Sequence, residues 1–517
     1  MKIIICFPPL SSDKGYPTLG QNRQFQYFKE PTFIYPIVPA YAATMLKQAG
    51  FEVKWMDCIA QGISYDQFFE IIRKEKPDVV AMETKTPVIK QQWRIINGLK
   101  RLSTIDHRLL TIFFGDHVTA LPQESLENSR VDFVLTGGNY DFLLLNLCQN
   151  LKNQTTNYEL RTTNLESGIW YREENQIKNT GEFKLDHDLN SLPFIDRELT
   201  KWQLYAYKNG NYRQTPGTYI MSGRDCWWAG CTFCSWVQLY PKFRVRKAEK
   251  VLDEIEYLVD KYNVKEIMDD TGAFPVGGWL DTFCHGMIKR GLNKKVNLNC
   301  NMRFGAIDLA GYKLMKEAGF RFLLFGLESA NQKTLDRINK NLKVETIIES
   351  CRCARKAGLY PHITTMFGYP WETYEDAKNT LKLAKWLLKK DYAYTMQATV
   401  VIPYPRTPLF KECKSNDLLL SLDWDYYDMK NPVMKLPFSS DKLPKLVQSL
   451  YSVSFNPEFI LRKVLSIRNI DDLKYFGRAF MKVMGHILDF KRKRVKGQGS
   501  RGKRDIKLAE KRCCCGR

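Results

Sequence analysis

Twice along this chain, short apolar runs alternate with amphipathic stretches at helical spacing, and that rhythm limits the fold more than any other feature. In residues 1–152 the runs are KIIICF (2–7), VKWMD (53–57), DVVAM (78–82), LLTIFF (109–114) and DFVLT (132–136). Helical patterns lie at 37–49, 65–75, 90–103, 122–128 and 140–152. Strand, helix, strand in alternation predicts a parallel sheet covered on both faces. Five such units predict a doubly wound, flavodoxin-like α/β domain, whose ligand sits beyond the carboxyl ends of the strands. Those ends carry Pro8-Pro9, Thr84-Lys85-Thr86, Gly115-Asp116-His117 and Gly137-Gly138.

The alternation resumes with strands expected at 218–223, 264–269, 296–301, 322–327, 362–367 and 394–401, and helices at 247–262, 278–290, 308–318, 344–357 and 374–389. Six units predict a partial (β/α)6 barrel of TIM type, with its chemistry at the carboxyl-terminal mouth. The expected organisation is a first domain (1–152), a polar, irregular linker (153–215), the barrel (216–410), a helical region (411–490) and a basic tail expected to be disordered (491–517).

Charge and cysteine content narrow the setting. The net charge is +22, and Lys491 to Arg517 holds twelve Lys/Arg against Asp505 and Glu510. Such a run suits an anionic surface or a solvated terminus. Fourteen cysteines scattered over 517 residues do not make a secreted disulfide scaffold, and a reduced, cytoplasmic setting is expected. The apolar start is cut by Pro8-Pro9 and no run of about 18 apolar residues exists, so neither a signal peptide nor a membrane-spanning helix is expected.

The chemistry concentrates just after the first barrel strand, in Arg224-Asp225-Cys226-Trp227-Trp228-Ala229-Gly230-Cys231-Thr232-Phe233-Cys234. Three closely spaced thiolates can hold three irons of a [4Fe-4S] cube. The fourth iron is then open to a small chelating ligand. A structural zinc site would want four protein ligands, and a second Cys-x-x-Cys is missing; Cys351 and Cys353 are two apart on a helix and face different ways. Three unrelated buried thiols are the other alternative.

This segment resembles the radical SAM superfamily, and more closely its cobalamin-binding branch, which includes the anaerobic magnesium-protoporphyrin monomethyl ester oxidative cyclase and B12-dependent C-methyltransferases. The superfamily spacing is usually Cys-x3-Cys-x2-Cys; here the first interval is one residue longer. The resemblance implies that Cys226, Cys231 and Cys234 ligate a [4Fe-4S] cluster and that S-adenosylmethionine (SAM) fills the open iron. It also implies SAM contacts from Phe233, from Asp269-Asp270 after the second strand, and from Arg303 after the third. Glu328-Ser329 after the fourth, followed by LDRINK, and Gly368 to Glu372 in a Gly-x-Pro-x-Glu-Thr-like turn after the fifth complete that set. Pro403 to Leu409 resembles a signature of the cyclase-like branch that usually has Gly where this chain has Arg406.

The first domain resembles the B12-binding fold of that branch. The resemblance implies cobalamin held at Thr84, Thr86, Gly115, His117, Gly137 and Gly138. Many B12 proteins carry Asp-x-His-x-x-Gly after the first strand, but residues 8–35 contain no His, so a lower histidine ligand to cobalt is not expected. Asp57 to Gly62 has that motif's outline in the wrong place.

The activity implied is reductive cleavage of SAM to a 5′-deoxyadenosyl radical, with an electron from a ferredoxin or flavodoxin-type donor, and C-methylation of an unactivated carbon with cobalamin. Alternatives are an oxidative cyclase or oxygenation-type reaction, RNA methylthiolation, and a metal-stabilised scaffold. Nucleic acid is a disfavoured partner, because the C-terminal region reads as helical rather than as a small β-barrel. The substrate, a lipid or a tetrapyrrole among the options, is not named by any motif, and residues 455–490 with the basic run invite peripheral contact with a membrane.

Overall fold

In the computed structural model the described residues are 1–10, 12–17, 27–29, 31–103, 108–152, 164–173 and 176–489, with side chains to 485. The expected tail, including Cys513, Cys514 and Cys515, lies outside them.

Strands β1 (Lys2–Phe7), β2 (Glu52–Asp57), β3 (Val79–Thr84), β4 (Leu110–Gly115) and β5 (Phe133–Leu135) pair in parallel in the order β2-β1-β3-β4-β5. The strand order reverses between β1 and β3, so the crevice lies beyond their carboxyl ends. Part of the stretch read as an irregular linker is instead a hairpin, β6 (Ile169–Glu173) and β7 (Gln176–Asn179), which adds two antiparallel strands beside β5. Its signal was a two-residue alternation over only a few positions: Ile169 and Tyr171 turn inward while Trp170 and Arg172 do not.

The second sheet holds β8 (Gly217–Ile220), β9 (Glu266–Asp269), β10 (Asn297–Met302), β11 (Phe320–Glu328), β12 (Tyr360–Phe367) and β13 (Thr395–Val400), all parallel and in chain order. The register sets Ile220 beside Asp269, Asp269 beside Cys300 and Glu328 beside Thr365, so the carboxyl ends form one rim. The expected first strand stops early: Gly223–Arg224 leaves the sheet and pairs antiparallel with Arg244–Val245, which frames the cysteine loop.

Local capping explains several motifs. Thr373 and Asp376 form a reciprocal capping box for Tyr374–Lys389, which is why the Gly-x-Pro-x-Glu-Thr turn ends in Thr. Thr407 caps Pro408–Ser415 and Pro408 occupies its first turn, so the Pro403 to Leu409 segment runs straight into a helix. Asp57 caps the short helix Cys58–Gln61 and Gly62 closes it at φ +68°, so the Asp57 to Gly62 pattern is a capped turn.

One apolar core runs from Ile3 to Val453 through both sheets. Fully buried side chains such as Ile5, Val80, Leu327 and Ile363 each contribute about 1.5–3 kcal/mol. Buried charge crosses the junction too. Arg246 donates to Glu254 at 2.5 Å and to the Tyr41 hydroxyl at 3.3 Å, and Arg197 lies over the Tyr35 ring.

Candidate active site at the barrel mouth

The cysteine loop is held from several sides. Thr232 N–H donates to Ile338 O at 3.0 Å, and Leu409 N–H donates to Thr232 O at 3.0 Å. The Asn339 amide donates to Gly230 O at 2.9 Å, and the Trp228 indole returns a bond to Asn339 O at 2.9 Å. Ala229 sits at φ +48°, the tight point that lets the longer first interval close. Cys226, Cys231 and Cys234 are in no disulfide, and each is half-buried. Among the described residues no three His, Cys, Asp or Glu side chains converge to chelate one ion. Each thiolate of a four-iron cube binds a different iron, so the three ligands need not meet at a point.

Two cations stand beside these thiols. Arg303 lies over the Trp228 ring at 4.3 Å and donates to the carbonyls of Lys340 and Asn341. Lys340 donates to Glu328 at 2.8 Å, and both are buried. Burial pushes the Cys231 thiol up, and the Lys340 charge opposes that push most. Burial likewise lowers the Arg303 guanidinium, against the pull of Cys231 and Cys226. The donor set, three thiols near two cations, suits an anionic iron–sulfur cluster.

Of the residues expected to touch SAM, Phe233, Arg303 and Glu328 gather around this loop. Glu328 adopts φ +63°, and a Cβ on Gly326 would lie 2.1 Å from its carboxylate and 2.8 Å from Lys340 Nζ. Gly326→Ala is expected to break that pair, destabilise the protein by about 1–3 kcal/mol in a denaturant titration, and slow 5′-deoxyadenosine formation.

Three expected SAM contacts turn away from the mouth. Asp269 accepts from Ser222 N–H at 3.0 Å, from the Ser222 hydroxyl, and from Thr271 N–H at 2.9 Å, so it fixes the approach to the cysteine loop. Its burial raises the carboxyl above its usual range. Ser329 donates to Glu372 at 2.6 Å, with both buried, and the two tie adjacent turns together. Asp270 N–H bonds Ile220 O at 2.9 Å at the rim. Gly368, at φ +97°, lets Leu443 pack within 2.9 Å of where a Cβ would stand. Sequence reasoning missed Lys340 and Tyr369. Lys340 closes the LDRINK segment; the buried Tyr369 hydroxyl has no partner among the described residues.

At the crevice of the first sheet, Gly115 must lack a side chain because a Cβ would sit 2.7 Å from Thr84 O. Thr84 itself donates to Phe114 O. The space beside Gly137 and Gly138 is filled: added Cβ atoms would meet the Phe183 ring at 2.4 Å and the Tyr240 ring at 1.8 Å. His117 is wholly buried, its ring nitrogens bonded to Thr86 at 3.2 Å and Glu124 at 3.1 Å, with Trp93 and Trp424 edge-on to it. It is a satisfied interior histidine there. What remains available is Glu83, Lys85 and Asp116: Lys85 lies 3.3 Å from Glu83 and 3.6 Å from Asp116, and Glu83 Oε2 and Asp116 Oδ1 are buried acceptors without a partner among the described residues. Unpaired buried acceptors suit a ligand rimmed with carboxamide donors, as a corrin is.

The two sites are bolted together. Arg224, two residues before Cys226, makes a bidentate pair with Asp141 at 2.9 and 2.6 Å. The Tyr240 hydroxyl donates to Gly138 O at 3.1 Å. Arg406, at φ +67°, donates to Thr119 O at 3.2 Å.

Residues 220–384 match the radical SAM superfamily and residues 31–141 match the B12 binding domain. The chain is a radical SAM enzyme that carries a B12-binding domain. Its relatives include methyltransferases and the anaerobic magnesium-protoporphyrin cyclase. An uncharacterised methyltransferase of Pyrococcus horikoshii is 27% identical over 471 residues, 90% of this chain and 95% of that protein. The anaerobic magnesium-protoporphyrin IX monomethyl ester cyclase of Cereibacter sphaeroides is 28% identical over 405 residues, 77% of this chain and 63% of that one. The cobalamin-dependent SAM radical enzyme OxsB, solved with aqua-cobalamin and SAM bound, shares the fold at a TM-score of 0.66 and 14% identity, over 94% of this chain and 72% of its own.

Proposed function

We propose that the protein transfers a methyl group to an unactivated carbon, using SAM and cobalamin. The observation that carries this is the Arg224–Asp141 pair, which sets the cysteine loop against the first turn of the helix following β5 and so holds the two cofactor domains face to face. When bound, the cluster supplies the electron that splits SAM into methionine and a 5′-deoxyadenosyl radical, and cobalamin supplies a transferable methyl group. Cys226, Cys231 and Cys234 hold the cluster. Phe233, Asp270, Arg303, Glu328 and Gly368 face SAM, while Asp269, Ser329 and Glu372 position the turns behind them. Thr84, Thr86 and Gly115 shape the cobalamin crevice, with Glu83, Lys85 and Asp116 as its polar contacts and His117 in its wall, while Gly137 and Gly138 seat the Phe183 and Tyr240 rings.

Radical SAM enzymes need a reductant, and a ferredoxin or flavodoxin-type protein fits that role in a cytoplasmic enzyme. Contact with an anionic membrane through the run 491–517 belongs to the same reading. Among the described residues no helix is long and apolar enough to cross a membrane. RNA methylthiolation gains no support: Cys6, Cys58 and Cys148 are buried in the core, and Lys442–Tyr451, Pro457–Leu465 and Ile470–Asp489 are helices.

Reduced, cobalamin-loaded enzyme given methyl-labelled SAM and a cell extract is expected to form 5′-deoxyadenosine and to move label into an extractable product. The relative from Cereibacter sphaeroides favours a cyclase as the second reading; 5′-deoxyadenosine without label in any product would select it over methylation.

A further inference from the structure

A cavity of about 450 Å³ lies at the end of the barrel opposite the cysteine loop, within the range of about 300–1,000 Å³ typical of small-molecule sites. Its floor is the start of three strands, at Phe322, His362 and Thr395. Its roof is the two C-terminal helices, through Phe459, Ile460 and Val464 on one and Phe476, Ala479 and Phe480 on the other. Polar groups are few. Lys463 donates to Tyr394 O at 2.9 Å, and Lys482 to Thr32 at 2.7 Å.

Three further observations bear on what enters. Ile460, Val464 and Phe480 line the cavity and are also 45–59% exposed, so the roof is part of the surface. Around them Leu461, Leu465, Ile470, Leu473 and Met481 are exposed as well. Helix Pro457–Leu465 buries none of its residues. An apolar face of this size marks an interaction surface rather than ordinary exterior. The chain then runs directly into Lys491–Arg517, with its twelve Lys/Arg. An apolar face, an apolar hole opening on it and a dense positive run meet their complements together in one partner, a bilayer with anionic headgroups.

We propose that this cavity binds the hydrocarbon chain of a lipid, drawn from an anionic bilayer on which the two C-terminal helices rest. The inference goes beyond the methyl-transfer reading, and binding is measurable without turnover.

The full-length protein is titrated with cis-parinaric acid, and separately sedimented with vesicles of phosphatidylcholine with or without phosphatidylglycerol. Saturable probe binding is expected, at least tenfold weaker in Ala479→Trp and in Ser454→Trp, which fill the cavity from different elements. Sedimentation is expected only with phosphatidylglycerol, and is lost in the double variant Leu465→Asp/Met481→Asp while probe binding survives. Absence of saturable binding, or binding unchanged in folded Ala479→Trp and Ser454→Trp, overturns the proposal. So does sedimentation indifferent to headgroup charge, or a purified tetrapyrrole displacing the probe where phospholipid does not. Formation of 5′-deoxyadenosine by the same preparation separates the readings: cleavage without probe binding removes only the lipid site, and probe binding without cleavage removes only the catalytic reading.

Discussion

Cys231→Ala, purified without oxygen and reconstituted with iron and sulfide, will lack the brown colour of the wild type, and its formation of 5′-deoxyadenosine will fall to background. Three thiolates are the minimum that holds three corners of the cube while leaving one open. Two leave a second iron without a protein ligand. Cys226→Ala and Cys234→Ala are expected to behave alike, whereas Cys353→Ala, on the outer helix Val344–Lys356, should keep both colour and activity. Cys231 is the most informative of the three because Thr232, its neighbour, is pinned to Ile338 and Leu409 by backbone bonds. The loop therefore keeps its path when the thiol is removed, and loss of iron reports on the ligand rather than on unfolding. Iron per chain and far-ultraviolet circular dichroism on the same sample check this. Full colour in any of the three variants would contradict the assignment.

Asp141→Ala is the second large effect. Arg224 and Asp141 are each no more than 1% exposed, so removing the carboxylate strands a guanidinium in the interior. Breaking one side of such a pair costs about 3–5 kcal/mol, while replacing both members with apolar groups of similar volume is close to neutral. Asp141→Ala should therefore lower the denaturation midpoint far more than Asp141→Leu combined with Arg224→Met. The double variant has a further use. It is expected to fold and bind iron, yet to lose label transfer, because the bond that sets one cofactor loop against the other is gone. A double variant with wild-type transfer would show that the pair serves stability alone.

Much of the architecture could be read from the chain because strand and helix periods differ and alternate cleanly. Ten predicted helices across the two β/α regions lie within a few residues of their observed bounds. The cysteine loop was legible from spacing and its place after a strand. Side-chain direction was not. A carboxylate after a parallel strand can face the mouth or fold back to cap a turn, and no pattern separates Glu328, which meets Lys340, from Glu372, which meets Ser329. Glycine pairs at strand ends suggest room for a ligand, yet Phe183 and Tyr240 use the room beside Gly137 and Gly138, and both come from distant segments. His117 looked ligand-facing from its loop, but Trp424, over 300 positions later, helps to bury it. The Glu83–Lys85–Asp116 cluster escaped notice because burial, not composition, makes it distinctive.

The fit of the Tyr240 ring against Gly138 has a consequence for inheritance. A methyl group added at position 138 collides with an aromatic ring contributed by the other half of the molecule, and a different ring at position 240 leaves a hole beside a bare backbone. Neither half can drift at this contact unless its counterpart shifts in step. Fragments exchanged with a distant cousin must carry both surfaces across as one unit.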